Sequence, residues 1–132
     1  MDAFDRAERF REEVRAFCAA GIPAGVKRKV ANNLVLEKAD YLEYLRALEP
    51  RGWQLGHWPV EEGGLGWSPL ERFVFEEETS RAGAPWLIPF GVNYVGPVIY
   101  TFGSPEQKAR FLPGIRDSSV WWAQGYSEPQ AG

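Results

Sequence analysis

Ser68-Pro69-Leu70-Glu71-Arg72-Phe73-Val74-Phe75-Glu76-Glu77-Glu78-Thr79-Ser80-Arg81 is the stretch on which the fold turns. A serine here can cap a helix, proline suits the first helical position because its missing N–H is not needed there, and Glu71 can reach back to the cap amide. The spacing predicts a helix over Ser68–Arg81. Within it Glu77 precedes Arg81 by four residues, the favourable order for a surface pair.

The same signature returns at Ser104, Pro105 and Gln107, predicting a second, shorter helix that stops near Pro113. Working outward toward the N-terminus, Phe4, Ala7, Phe10, Val14 and Phe17 recur at three- and four-residue steps with charges between them. That is the stripe of an amphipathic helix from about Asp2 to Ala20, ended by Gly21 and Pro23. Tyr41, Leu42, Tyr44, Leu45 and Leu48 suggest another, closing before Pro50 because the residue ahead of proline is pushed out of helical geometry. Residues 25–33 are basic and weakly periodic, a loop or short turn of helix, and 52–67 carry turn chemistry. Tyr94, Val95, Val98, Ile99 and Phe102 predict a buried helix over Gly91–Phe102 that tolerates Pro97 in its early turns. Val120–Tyr126 switches to strand-type residues, and a lone strand leaves its hydrogen-bonding ladder unpaired, so its partners must lie elsewhere.

Composition narrows the function. The chain has 132 residues, 45% hydrophobic and 25% charged, which fits one globular domain and argues against disorder. Fifteen Lys and Arg against eighteen Asp and Glu leave −3, so no basic surface of the size that neutralises a nucleic-acid backbone is expected. With Cys18 the only cysteine and His57 the only histidine, neither an internal disulfide nor a protein-built transition-metal site is expected. Charges at Asp2, Asp5, Arg6, Glu8 and Arg9 occupy the place of a signal-peptide apolar run, and the expected location is cytoplasmic. Ala82–Pro105 holds no charge and is long enough to cross a bilayer, but four prolines and four glycines break it. It reads as a buried, broken connection.

Aromatic residues reach 14%, for which core packing is the plainer explanation than a flat ligand. Glu76, Glu77 and Glu78 point in directions 100° apart on a helix and cannot converge on one substrate atom, so they read as a solvated face. His57 has no Ser or Cys nucleophile motif beside it, and Cys18, at helical spacing from Val14, reads as a small core residue. Gly63, Gly64 and Gly66 come after a helix, not a strand, and no P-loop Lys-Ser/Thr succeeds them, so a tight turn before Ser68 explains them. The tract Trp121-Trp122-Ala123-Gln124-Gly125-Tyr126-Ser127-Glu128-Pro129 differs in kind: its edge can offer backbone N–H and hydroxyl donors to a planar heteroaromatic, or pack in a sheet.

Four motifs in order then resemble one family. Trp58-Pro59 through Glu61-Glu62-Gly63-Gly64-Leu65-Gly66, Glu77-Glu78 through Arg81-Ala82-Gly83-Ala84-Pro85, and Phe102-Gly103-Ser104-Pro105-Glu106-Gln107-Lys108 with Phe111-Leu112-Pro113 are similar to successive elements of the acyl-CoA dehydrogenases. Tyr126-Ser127-Glu128-Pro129-Gln130-Ala131-Gly132 resembles their flavin-contacting signature, with Gln130 where Gly is common and the final Ser-Asp beyond the end. The resemblance implies a mainly α fold: a helical N-terminal domain over residues 1–118, then 119–132 as the opening strand of a truncated β middle domain.

It also implies an FAD-dependent oxidoreductase of lipid metabolism that desaturates an acyl-CoA thioester, with the catalytic base on a C-terminal domain not present here. By the resemblance, Gln124, Gly125, Tyr126 and Ser127 contact the flavin, and Trp86, Pro89 and Asn93 line an acyl pocket whose Trp and Pro suit something other than a straight chain. Expected partners are the acyl-CoA substrate, the missing domains or a full-length homologous subunit, and an electron acceptor. The fragment alone is expected to be inactive and, with faces meant for other domains, prone to self-association. A non-catalytic helical interaction module and the related acyl-CoA oxidases stay open as alternatives.

Overall fold

The structure, a computed structural model, describes residues 2–131. Gly132, which belongs to the tract resembling the flavin-contacting signature, lies outside them. The chain divides into two compact units, 1–87 and 88–132.

In the first unit, α1 (Ala3–Ala20) starts where the Asp2 carboxylate accepts from the Asp5 amide at 2.8 Å, and it buries Ala7, Phe10, Val14, Phe17 and Cys18 on one face. α2 (Ala24–Ala31), read from sequence as loop or turn, is a helix of eight residues. Its periodicity is faint because Val26 alone is buried, and one anchor gives no repeat. α3 (Lys38–Leu48) runs into a 3-10 turn at Glu49–Arg51 that begins one residue ahead of Pro50, and further 3-10 turns at Trp53–Leu55 and Val60–Glu62 fill the turn-rich region. α4 (Pro69–Arg81) opens with the capping box read from sequence: Glu71 N–H donates to Ser68 Oγ at 3.2 Å and Ser68 N–H to Glu71 Oε2 at 2.8 Å.

Helices α1 and α4 lie together and run the same way, since Arg6 pairs with Glu71 and Arg11 with Glu78. Between them and the turn region sits an aromatic core. The Trp53 ring meets Phe10, Phe17 and Phe75 edge-on at 5.6, 5.4 and 5.8 Å. Edge-on contact sets the positive ring rim against a neighbour's negative face, worth about 0.5–1.5 kcal/mol per pair beyond burial. Much of the high aromatic content is thus spent on packing. Cys18 is buried here, its thiol 3.8 Å from the Glu78 carbonyl oxygen, as a core residue should be.

The glycine turn holds Trp58. Gly63 takes φ 88°, open to glycine without strain, and Gly64 lies so close to the Trp58 carbonyl that a Cβ would collide with backbone. Trp58 is fully buried, so the turn's tightness is a packing device.

In the second unit, Phe90–Val95 is a π-helical turn, α5 (Gly96–Phe102) continues it, and α6 (Pro105–Arg116) packs against α5. Two sequence expectations change here. The region 91–102 is helical but not buried: Val98 is 57% and Phe102 83% exposed. Within this small unit each helix has few neighbours, so only one face can be covered. α6, expected to stop near Pro113, runs on to Arg116. Leu112 and Ile115 bury their side chains on either side of the proline, about 1.5–3 kcal/mol each, which offsets the lost hydrogen bond.

Val120–Tyr126 forms no strand, and there is none among the described residues. A strand needs a ladder partner, and this tract has no second strand to pair with. Glu128 and Ala131 pair in an isolated bridge that closes the Pro129–Gln130 turn. Among the described residues no helix is long and apolar enough to cross a membrane, Ala82–Pro105 included.

Candidate functional site

The C-terminal tract is launched by the end of α6. Ser118 adopts φ 57°, reversing the chain, and Val120 N–H returns to the Gly114 carbonyl at 3.1 Å. Asp117 accepts from the Ser119 amide at 2.9 Å, and the Ser119 hydroxyl and amide hold its carboxyl below the usual range. Trp121 donates its indole N–H to the Ser118 carbonyl at 3.1 Å, while the Trp122 ring stands edge-on to Phe111 at 5.8 Å. The Trp122 edge also comes within ordinary contact of the space over Gly91. Its indole nitrogen is buried without an acceptor among the described residues.

Beyond this double-tryptophan anchor the chain leaves the body. Gln124, Gly125, Tyr126 and Ser127 are all exposed, and 123–127 make no main-chain hydrogen bond among the described residues. Nothing lies within 4 Å of where a Gly125 side chain would start. The strip therefore presents amides, carbonyls, the Gln124 carboxamide and the Ser127 hydroxyl to an incoming partner. That donor and acceptor set fits the edge of a planar heteroaromatic such as a flavin, and fits an incoming β-strand equally well.

Of the residues read as lining an acyl pocket, Trp86 belongs to the first unit and is 75% exposed. Pro89 is buried at the entry to the π-helical turn, and Asn93, half-buried, sits one turn on, its N–H donating to the Pro89 carbonyl at 2.8 Å. The structure thus brings Pro89 and Asn93 together. π-turns relax the helical ladder and recur at functional sites, and this one is not visible in the residue pattern.

The glutamate triplet needs a correction. Glu76 pairs on the surface with Arg72 at 2.9 Å, and Glu77 with Arg81 at 2.9 Å as the spacing predicts. Glu78 is not solvated: its side chain is 7% exposed and bonded by Arg15 Nε at 2.9 Å and Arg11 Nη1 at 2.6 Å. The Arg15 and Arg11 guanidiniums outweigh its burial and hold its carboxyl below the ordinary range. A signal was present, since Glu78 lies four residues after buried Val74 and three after buried Phe75. A carboxylate so stabilised as an anion is a poor proton acceptor, so the triplet offers no general base. Tyr44 and Cys18 are likewise out of play, because burial pushes both upward, away from their ionised forms. His57 is half-buried between the 3-10 turns, and no group of three His, Cys, Asp or Glu among the described residues could hold a metal ion.

Comparison with known proteins gives one consistent answer. The family described as "Acyl-CoA dehydrogenase, N-terminal domain" matches residues 5–118. Among curated proteins, the acyl-CoA dehydrogenase FadE26 of Mycobacterium tuberculosis is 35% identical over 129 residues, covering 95% of this chain and 32% of its own. The acyl-CoA dehydrogenase IpdE1 of the same organism is 51% identical over 76 residues, covering 57% of this chain and 20% of its own. Among solved structures, the Tcur3481-Tcur3483 steroid ACAD superposes with a TM-score of 0.77 at 38% identity, over 97% of this chain and 33% of that one. The ChsE4-ChsE5 complex from Mycobacterium tuberculosis gives 0.76 at 33% identity, over 100% and 33%. The chain spans about a third of the length of such relatives.

Proposed function

The chain belongs to the acyl-CoA dehydrogenase family, whose N-terminal domain it carries, and from that premise we propose that it serves as the N-terminal part of an FAD-dependent enzyme that desaturates an acyl-CoA thioester between its α- and β-carbons. The carrying observation is likeness over nearly the whole chain to an acyl-CoA dehydrogenase, FadE26, at 35% identity, and to a steroid ACAD at a TM-score of 0.77. In this reading 1–118 form the helical domain and 119–132 open a β middle domain, with the unpaired strip 123–127 gaining its ladder there.

The strip fits a flavin edge: it is exposed, carries no side chain at Gly125, and keeps its main-chain groups available. When bound, FAD supplies the acceptor for the hydride that leaves the β-carbon. Gln124, Gly125 and Tyr126 would hold the ring edge through main-chain groups, and the Ser127 hydroxyl would donate to it. Trp86, Pro89 and Asn93 would shape the acyl pocket. The base that removes the α-proton comes from elsewhere, since Glu78 is pinned by two arginines, Glu77 is held by Arg11 and Arg81, and Glu76 pairs on the surface with Arg72. Solved relatives named for steroid substrates support a polycyclic acyl group over a straight chain. Two-protein names among them support assembly with a homologous subunit, besides the missing domains and an electron acceptor. Work in cytoplasmic lipid metabolism follows from the same reading.

The test is spectroscopic. The chain joined to the remaining domains should purify yellow, with flavin bands bleached by an acyl-CoA, while residues 1–132 alone should show no turnover. Steady desaturation by the purified chain would overturn the claim that the base lies elsewhere. A second reading is a non-catalytic helical module that binds a larger subunit. Colourless, flavin-indifferent material that co-purifies with a larger relative would select it.

A further inference from the structure

We propose that α2 and the loop behind it dock reversibly on an anionic lipid surface. The loop is held, not slack. Asn32 donates from its side chain to the Arg28 carbonyl at 2.8 Å, Asn33 turns the chain at φ 51°, and Leu34 N–H returns to the Lys29 carbonyl at 2.9 Å. The aliphatic side chains next in the loop nevertheless stay outside, Leu34 at 56% and Val35 at 86% exposure.

The charge around them is one-sided. Between Gly21 and Leu36 the chain has Lys27, Arg28 and Lys29 and no carboxylate. Lys29 is neutralised by Asp40 at 2.8 Å, which leaves Lys27 and Arg28, both exposed and without an ion pair among the described residues. Glu37, the nearest carboxylate beyond, is turned to the N-terminus of α3 as half of its capping box. The whole chain carries −3, so its average field repels an anionic bilayer and this segment is attracted against that background. Orientation follows from the contrast.

The chemistry favours lipid over a protein partner. Protein anchors are dominated by aromatic and arginine side chains seated in pockets, whereas two adjacent exposed aliphatic side chains on a held loop suit the acyl boundary below the headgroups. Each basic residue close to an anionic surface raises partitioning about fivefold, so two cations and two aliphatic groups give weak, reversible attachment.

Co-sedimentation of the purified chain with vesicles tests this, using phosphatidylcholine alone and phosphatidylcholine mixed with phosphatidylglycerol. Binding is expected on the mixed vesicles only, with release at high salt. K27E/R28E should lower the partition coefficient by at least about tenfold, and L34S/V35S should lower it on the same vesicles. All four side chains are exposed, so helical circular dichroism should not change in either variant. Equal binding to both vesicle types, no binding to either, or mixed-vesicle binding untouched by either pair would overturn the proposal. Capture on polyglutamate beads without vesicle binding would overturn it in favour of an acidic polypeptide.

Discussion

Glu78 shows how much one side chain can be asked to do when its neighbours are fixed. It lies under α1 with Arg11 and Arg15 closing on it, and Glu8 and Glu77 also bind Arg11, at 3.1 and 2.6 Å. Removing its charge takes the carboxylate partner of Arg15 and one of the three partners of Arg11, and Glu78→Gln is expected to cost about 2 kcal/mol at neutral pH in urea unfolding. The pH dependence follows from the direction of its shift. The folded carboxyl titrates below its unfolded value near about 4.3, so its contribution is complete above that value and drains as pH falls through the folded one. Stability of the native chain should therefore drop faster on acidification than that of Glu78→Gln; parallel acid limbs would contradict this. At Gly64 the constraint is steric. Ala there meets the Trp58 carbonyl, which neither a rotamer change nor a side-chain shift relieves, and Gly64→Ala should cost about 2–4 kcal/mol in the same assay.

Elements obey a mixture of local and distant rules. Two of the three capping boxes among the described residues were legible because every atom involved lies within three residues, at Ser68–Glu71 and Ser104–Gln107. Ser68→Ala should remove one such bond and lower stability by about 1 kcal/mol, read as a shift in the thermal midpoint. The far ends of helices are different. Proline at 113 announces a stop, and only contacts of Leu112 and Ile115 carry α6 past it. The π-turn at Phe90–Val95 has the same character. Gly91 within it leaves space that Trp122 and Ile115 border at 3.5 and 3.6 Å, so Gly91→Ala should be tolerated or slightly stabilising, by up to about 1 kcal/mol. A clear loss would mean that the turn must open as the protein works.

For the whole molecule, the division at Leu87 has a direct consequence. The aromatic core, with α1 and α4 packed on it, falls within residues 1–87. A chain ending at Leu87 should unfold cooperatively by tryptophan fluorescence; a broad, non-cooperative transition would show that the core depends on residues 88–132. The second unit buries little beyond Pro89, Gly96, Leu112 and Ile115, and a unit of that size lies near the limit for independent folding. It also leaves Tyr94, Val98, Phe102 and Tyr126 exposed, and the purified chain should self-associate, measurable as a rise of mass with concentration in light scattering.

The amino-acid order by itself determined where most helices begin, which residues make the first helix's apolar stripe, and which family the motifs resemble, because caps, turns and periodicity are interactions among near neighbours. Tertiary structure decided that Glu78 is sheltered and not solvated, that α6 outlasts its proline, that 91–102 is only partly covered, and that 120–126 has no ladder partner among the described residues. Each of these depends on what lies across space from a residue, a guanidinium, an apolar surface or an absent ladder partner, and no local pattern encodes that.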